Sequence, residues 1–126
     1  MQDGLYDMAV NMGQYFVKNK LTNILDIVIN LFDSAKKASA NENEVKTKFF
    51  NMLNLVNKNP FMLGGGKSQK EAFKKFVEGY LSIVYKFKNA ECRNRDFARL
   101  TTDEMIYVLC WANRYVKCFG HDKRPS

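Results

Sequence analysis

A single histidine, His121, stands in this 126-residue chain, and no Cys-x-x-Cys pair occurs. The first scarcity leaves little room for acid–base or nucleophilic catalysis built on imidazole. The second removes the tight ligand spacing of structural zinc sites, although Cys118 and His121 are three apart and Cys92 or Cys110 could join them. No metal and no cofactor is therefore expected. Three cysteines, an odd number in a chain with enough apolar residues for an ordinary core, argue for reduced thiols and an intracellular, cytoplasmic setting. No apolar run approaches the roughly 20 residues that cross a bilayer. The opening Met-Gln-Asp-Gly-Leu-Tyr-Asp has no basic region leading into an apolar one, so no secretory leader is expected. Prolines are limited to Pro60 and Pro125, both expected outside regular structure.

Acidic residues are scarce where basic ones are dense. Residues 1–63 hold 7 Lys/Arg against 6 Asp/Glu, whereas residues 64–126 hold 13 against 7 and carry +6 of the total +7. The cations run through Lys67, Lys70, Lys74, Lys75, Lys86, Lys88, Arg93, Arg95, Arg99, Arg114 and Lys117, with Phe, Tyr and Trp among them. Such an asymmetry points to a polyanionic partner, above all nucleic acid.

Apolar residues recur at helical spacing along every long segment, which predicts an all-α, single-domain bundle of five or six helices over residues 1–126, with a ragged tail from about 120. The first helix follows Asp3 and offers Leu5, Met8, Val10, Met12, Tyr15 and Phe16 to the core before Asn19-Lys20 breaks it. Thr22 is placed to cap a second, carrying Ile24, Leu25, Val28, Leu31, Phe32 and Ala35. A third spans about Glu44 to Asn57 and stops at Asn59-Pro60, because proline pushes its predecessor out of helical geometry. Ser68 with Glu71, and Thr101 with Glu104, both fit a capping box. The fourth helix is expected to carry Phe73, Phe76, Val77, Tyr80, Leu81, Val84 and Phe87. A short helix falls within Ala90–Leu100, and the last carries Met105, Ile106, Leu109, Ala112, Val116 and Phe119, with Gly120 as its stop. No β-hairpin signal is visible.

Gly64-Gly65-Gly66-Lys67-Ser68 is similar to the end of a phosphate-binding loop. The full pattern needs a glycine where Phe61 stands and a strand before it, so nucleotide hydrolysis is not expected. Glycine amides at a helix start beside Lys67 and Lys70 would still form a seat for one backbone phosphate. Lys67, Lys70, Lys74 and Lys75 lie near one side of the fourth helix, which offers only Glu71 and Glu78 against them. For any one lysine a solvated face suffices, but a merely soluble helix mixes its signs more evenly. Arg93, Arg95 and Arg99 extend the basic set, and arginine's planar fork suits phosphate. Trp111 and Tyr115 share a helical face; core packing is the expected role, and stacking on an unpaired base the alternative.

The stretch Thr101–Phe119 resembles the C-terminal helix of the small helical subunit of type III CRISPR effector complexes. Thr102, Glu104, Trp111, Arg114 and Tyr115 occupy the matching positions, and the chain's size, helical pattern and basic second half fit as well. Some relatives end in a Tyr-Gly-Gly-like tail, which Phe119-Gly120-His121 follows only in part. The resemblance implies a subunit stacked in copies along a ribonucleoprotein filament, lining the groove for guide and target RNA without cleaving it.

Two readings follow. The favoured one is a non-catalytic helical subunit that binds the RNA backbone within an antiviral ribonucleoprotein complex, through Lys67, Lys70, Lys74, Lys75, Arg93, Arg95, Arg99, Arg114 and Lys117. Its partners would be RNA and other subunits, copies of itself included, with no membrane. The other is a small protein–protein interaction module, such as a phage or viral inhibitor of host defence, docking its basic face on an acidic protein.

Overall fold

Helix α1 (Gln2–Lys18) turns Ala9, Met12, Gly13 and Phe16 inward, the spacing of one helical face. The computed structural model describes residues 2–21, 24–63, 66–86 and 88–119. The expected cap Thr22, the expected stop Gly120, and Gly64, Gly65, Phe87 and His121 lie outside the described residues. Asn19 closes α1 with its side chain on the Tyr15 carbonyl at 2.9 Å, and Lys20 turns the chain with φ of 58°. Helix α2 (Leu25–Lys37) buries Leu25, Val28, Phe32 and Ala35. Helix α3 (Glu42–Lys58) begins earlier than its apolar pattern predicts. Asn41 Oδ1 accepts from the Glu44 amide at 3.0 Å while Glu44 Oε1 accepts from the Ala40 amide at 2.7 Å, so the cap lies ahead of the first apolar residue. Pro60 ends α3 as expected but opens a 3-10 turn, Pro60–Leu63.

Helix α4 (Lys67–Lys74) departs from expectation at both ends. Its N-cap is Gly66 in extended backbone, with no side-chain capping bond. Ser68 therefore sits inside the first turn, past the position a capping hydroxyl needs, and the Ser68–Glu71 box does not form. At the other end α4 widens into a π-helical turn, Lys75–Tyr80, and stops. Val84, expected in the core of a longer helix, is exposed on strand β1 (Ile83–Lys86), which pairs antiparallel with β2 (Asn89–Cys92). The hairpin contradicts the expectation of none.

The departure has its cause across the hairpin. Ser82 takes φ of 54°, and the carbonyls freed at the end of the π turn find partners across the hairpin. Asn94 Nδ2 donates to the Tyr80 carbonyl at 2.9 Å, and the Asn94 amide and the Cys92 thiol donate to that of Leu81 at 3.1 and 3.3 Å. Lys86 pairs with Asn89, and Lys88 has φ of 74°. Asn51 of α3 ties the hairpin down, accepting from the Ala90 amide at 2.7 Å and donating to Asn89 Oδ1 at 3.2 Å.

The short helix expected within Ala90–Leu100 shrinks to α5 (Arg95–Ala98), capped by Asn94 and burying Phe97. Helix α6 (Thr102–Phe119) opens on the expected capping box: the Thr101 amide donates to Glu104 Oε1 at 2.9 Å, and the Glu104 amide to Thr101 Oγ1 at 3.1 Å. Its inward face is Met105, Val108, Leu109, Ala112 and Val116. Phe119, expected in the core, is 63 % exposed at the C-terminal end of α6, although it continues the spacing of that stripe.

The elements form a mostly helical bundle round one core, where Phe16, Phe32, Phe49, Phe73, Phe76 and Phe97 are fully buried. Among the described residues no polar or charged side chain is buried there. Phe16 and Phe76 meet at 5.0 Å between ring centroids, and Phe32 and Phe49 do the same. No described helix is long and apolar enough to cross a membrane.

Helices α1 and α6 approach closely at Gly13. A Cβ there would stand 2.7 Å from Tyr115 Cδ1 and 2.9 Å from Tyr115 Cβ, an atom fixed to the α6 backbone. Gly13→Ala gains about 1 kcal/mol of helix propensity but costs about 1–3 kcal/mol of overpacking. We expect denaturant melts to show net destabilisation; an increase in stability would mean that the two helices separate without penalty.

Candidate nucleic-acid interface

The basic residues singled out by the sequence fall into three groups. Lys67, Lys70 and Lys74 project from α4 and Lys75 from the π turn that continues it. They surround the inward stripe Ala72, Phe73, Phe76 and Val77; Lys70 is half-buried and the other three are exposed. Among the described residues none of the four enters an ion pair. Lys74 and Lys75 border a shallow depression of about 450 Å³ together with Glu71, Glu78 and Gly79. Of the two carboxylates, Glu78 already accepts from Asn57 Nδ2 at 2.7 Å.

Glu78 also borders a second depression of about 470 Å³, on whose rim stand Lys58, Tyr85 and Arg93. The hairpin therefore sets Arg93 on one depression with Lys58, which the sequence did not single out, and Glu78 is common to it and to the depression bordered by Lys74 and Lys75. No spacing signal could have found Lys58: it closes α3 and shares a depression with Arg93 only through the hairpin.

Arg95 opens α5 and Arg99 follows it. Arg95 is exposed and outside any described ion pair, whereas Arg99 lies 3.9 Å from Asp96, both largely exposed. Arg99 borders a depression of mixed sign that also includes Asp7, Asp96 and Tyr80. Burial, reinforced by Asp96 and Tyr15, pushes the Tyr80 hydroxyl up to about 12.

Arg114 and Lys117 lie on α6, on a groove of about 440 Å³ shared with Tyr6, Trp111, Tyr115 and Phe119. Trp111, expected in the core, is exposed, because Ala112 and not Trp111 continues the buried stripe. Its indole takes the edge of Tyr6 at 5.9 Å, and the Arg114 guanidinium sits 5.0 Å from its centroid. Lys117 reaches away to Asp26 of α2 at 3.4 Å. Tyr6 escapes a sequence reading because it stands off the inward stripe of α1.

Chemically, these surfaces offer cations and aromatic faces. Exposed lysines and arginines bind phosphate oxygens without distinguishing bases. Two of the thiols are not activated: burial pushes Cys92 up to about 11 against one backbone hydrogen bond that lowers it, and burial also raises Cys110 despite the nearby Arg114. Among the described residues no group of three or more His, Cys, Asp or Glu side chains is placed to hold a metal. The Gly64–Gly65 part of the phosphate seat lies outside the described residues, which leaves Gly66, Lys67 and Lys70 as its described members. Comparison with protein-family models, with curated proteins and with solved structures yields no match to this chain.

Proposed function

We propose that this protein is a non-catalytic helical subunit that binds the RNA backbone, of a guide or its target, within a cytoplasmic ribonucleoprotein complex of antiviral defence. The observation that carries the reading is the row of cations Lys67, Lys70, Lys74 and Lys75, all outside any described ion pair, with Arg93 and Lys58 on a second depression that shares Glu78 with the first. A surface that served solubility alone would pair or intersperse those charges. The resemblance of Thr101–Phe119 to the small subunit of type III CRISPR complexes supports the choice of RNA and of a multi-subunit setting. Leu55, Phe61 and Met62, all exposed around the end of α3, supply an apolar surface for neighbouring subunits.

The test is a titration of the purified protein with labelled single-stranded RNA at several salt concentrations. Binding should be tight at low salt and fall steeply between about 50 and 200 mM, with a log–log slope near −0.7 for each phosphate contacted. Absence of binding at low salt would overturn the reading. Salt-sensitive capture of an acidic protein in its place would favour the interaction module that docks the same basic face on a protein.

A further inference from the structure

The groove between α1 and α6 has a different character from the lysine face of α4. Three of its large apolar side chains are well exposed: Tyr6 at 48 %, Trp111 at 37 % and Phe119 at 63 %. Exposed aromatics gathered on one concave surface mark a binding site more often than scattered ones do. The walls are aromatic, with Tyr115 and Phe119 rings 4.7 Å apart and Tyr6 edge-on to Trp111. Among the described residues the charged ones in the lining are Arg114 and Lys117, with no carboxylate beside them. Lys117 is engaged by Asp26, so Arg114 is the cation left for a ligand. A guanidinium lying over an indole keeps its in-plane N–H fork free for an anion.

An occupant that matches these walls is flat, carries a π face, and bears negative charge beside it. The groove's volume of about 440 Å³ lies within the roughly 300–1,000 Å³ of small-ligand clefts. We infer that this groove takes one unpaired nucleobase of a single-stranded RNA, stacked on its aromatic wall, with the adjoining phosphate on Arg114. The inference rests on the RNA reading above and adds to it a contact with a base. Stacking of this kind tolerates every base, because each has a π face. A partner helix would instead lay an apolar face along a long hydrophobic groove, and among the described residues Val10 is the only aliphatic one in the lining.

Trp111 is the only tryptophan in the chain, so its emission reports on this groove alone. The experiment titrates the full chain with a single-stranded oligouridylate and with an abasic oligomer of the same length and charge. The base-bearing RNA should quench the emission and bind about tenfold tighter than the abasic one. Phe119→Ala, at an exposed position, should erase most of that preference. Equal affinity for both oligomers without quenching would overturn the base contact and leave the backbone reading standing. If neither oligomer binds, both readings fall. A shift of the emission with protein concentration alone, accompanied by dimerisation, would assign the groove to a second copy of the chain and overturn the inference.

Discussion

Leu109→Ala should lower the free energy of unfolding by roughly 2–5 kcal/mol, the range for removing a fully enclosed leucine side chain. Leu109 is fully buried on the inward face of α6, between Met105, Ala112 and Val116 along the same stripe. The loss has two parts: the transfer energy of the missing methyls and the cavity that rigid neighbours leave behind. The aromatic core restricts collapse into that cavity, since Phe16, Phe73, Phe76 and Phe97 are fully buried themselves. Urea melts of the two proteins measure it, with the slope against denaturant held as a check on the unfolded state. A difference within error of zero would mean that α6 does not face the core in this register.

The second large effect concerns salt. Replacing Lys67, Lys70, Lys74 and Lys75 by alanine should flatten the slope of log K against log salt by roughly 3 units, at about 0.7 for each phosphate that the variant no longer neutralises. Alanine keeps α4 helical, and none of the four side chains takes part in a described ion pair, so the fold should tolerate the change. A control variant replaces Lys18, Lys36 and Lys37 in the half of the chain where acids balance bases. Lys37 is already paired with Asp33 at 3.1 Å, and Lys46 is spared because its ammonium group holds the Ala98 carbonyl at 3.1 Å. Equal loss of RNA affinity in the two variants would show that overall charge, and not the α4 face, governs binding.

Where local partners decide the structure, the residues announced it. Thr101 and Glu104 satisfy each other across one helical turn, and Pro60 stops α3 by its own ring. The end of α4 was illegible for the opposite reason. Ile83-Val84-Tyr85 continues an apolar run too short for its period to separate strand from helix, and no Asn-Gly or Asp-Gly pair marks the turn. What ends the helix is Asn94, fourteen positions beyond the Tyr80 carbonyl that it captures. The candidate interface divides in the same way. The excess of cations could be read directly, and so could the helix that bears most of the lysine row. Their neighbours could not: Lys58 joins Arg93 through the hairpin, and Trp111 owes its exposure to a stripe set by the packing of α1.

The close approach of α1 to α6 at Gly13 also shapes how the chain must be made. These helices are the first and last described, so their contact closes a loop spanning nearly the whole sequence. During synthesis, Met12 and Phe16 emerge long before Leu109 and Ala112 exist to cover them. The early helices must wait with part of their apolar face uncovered, and the ordering cost of that long closure is met only when α6 leaves the ribosome. Completion of this fold is thereby coupled to completion of translation through α6, and chains arrested before it would expose a surface for chaperones and proteases to recognise.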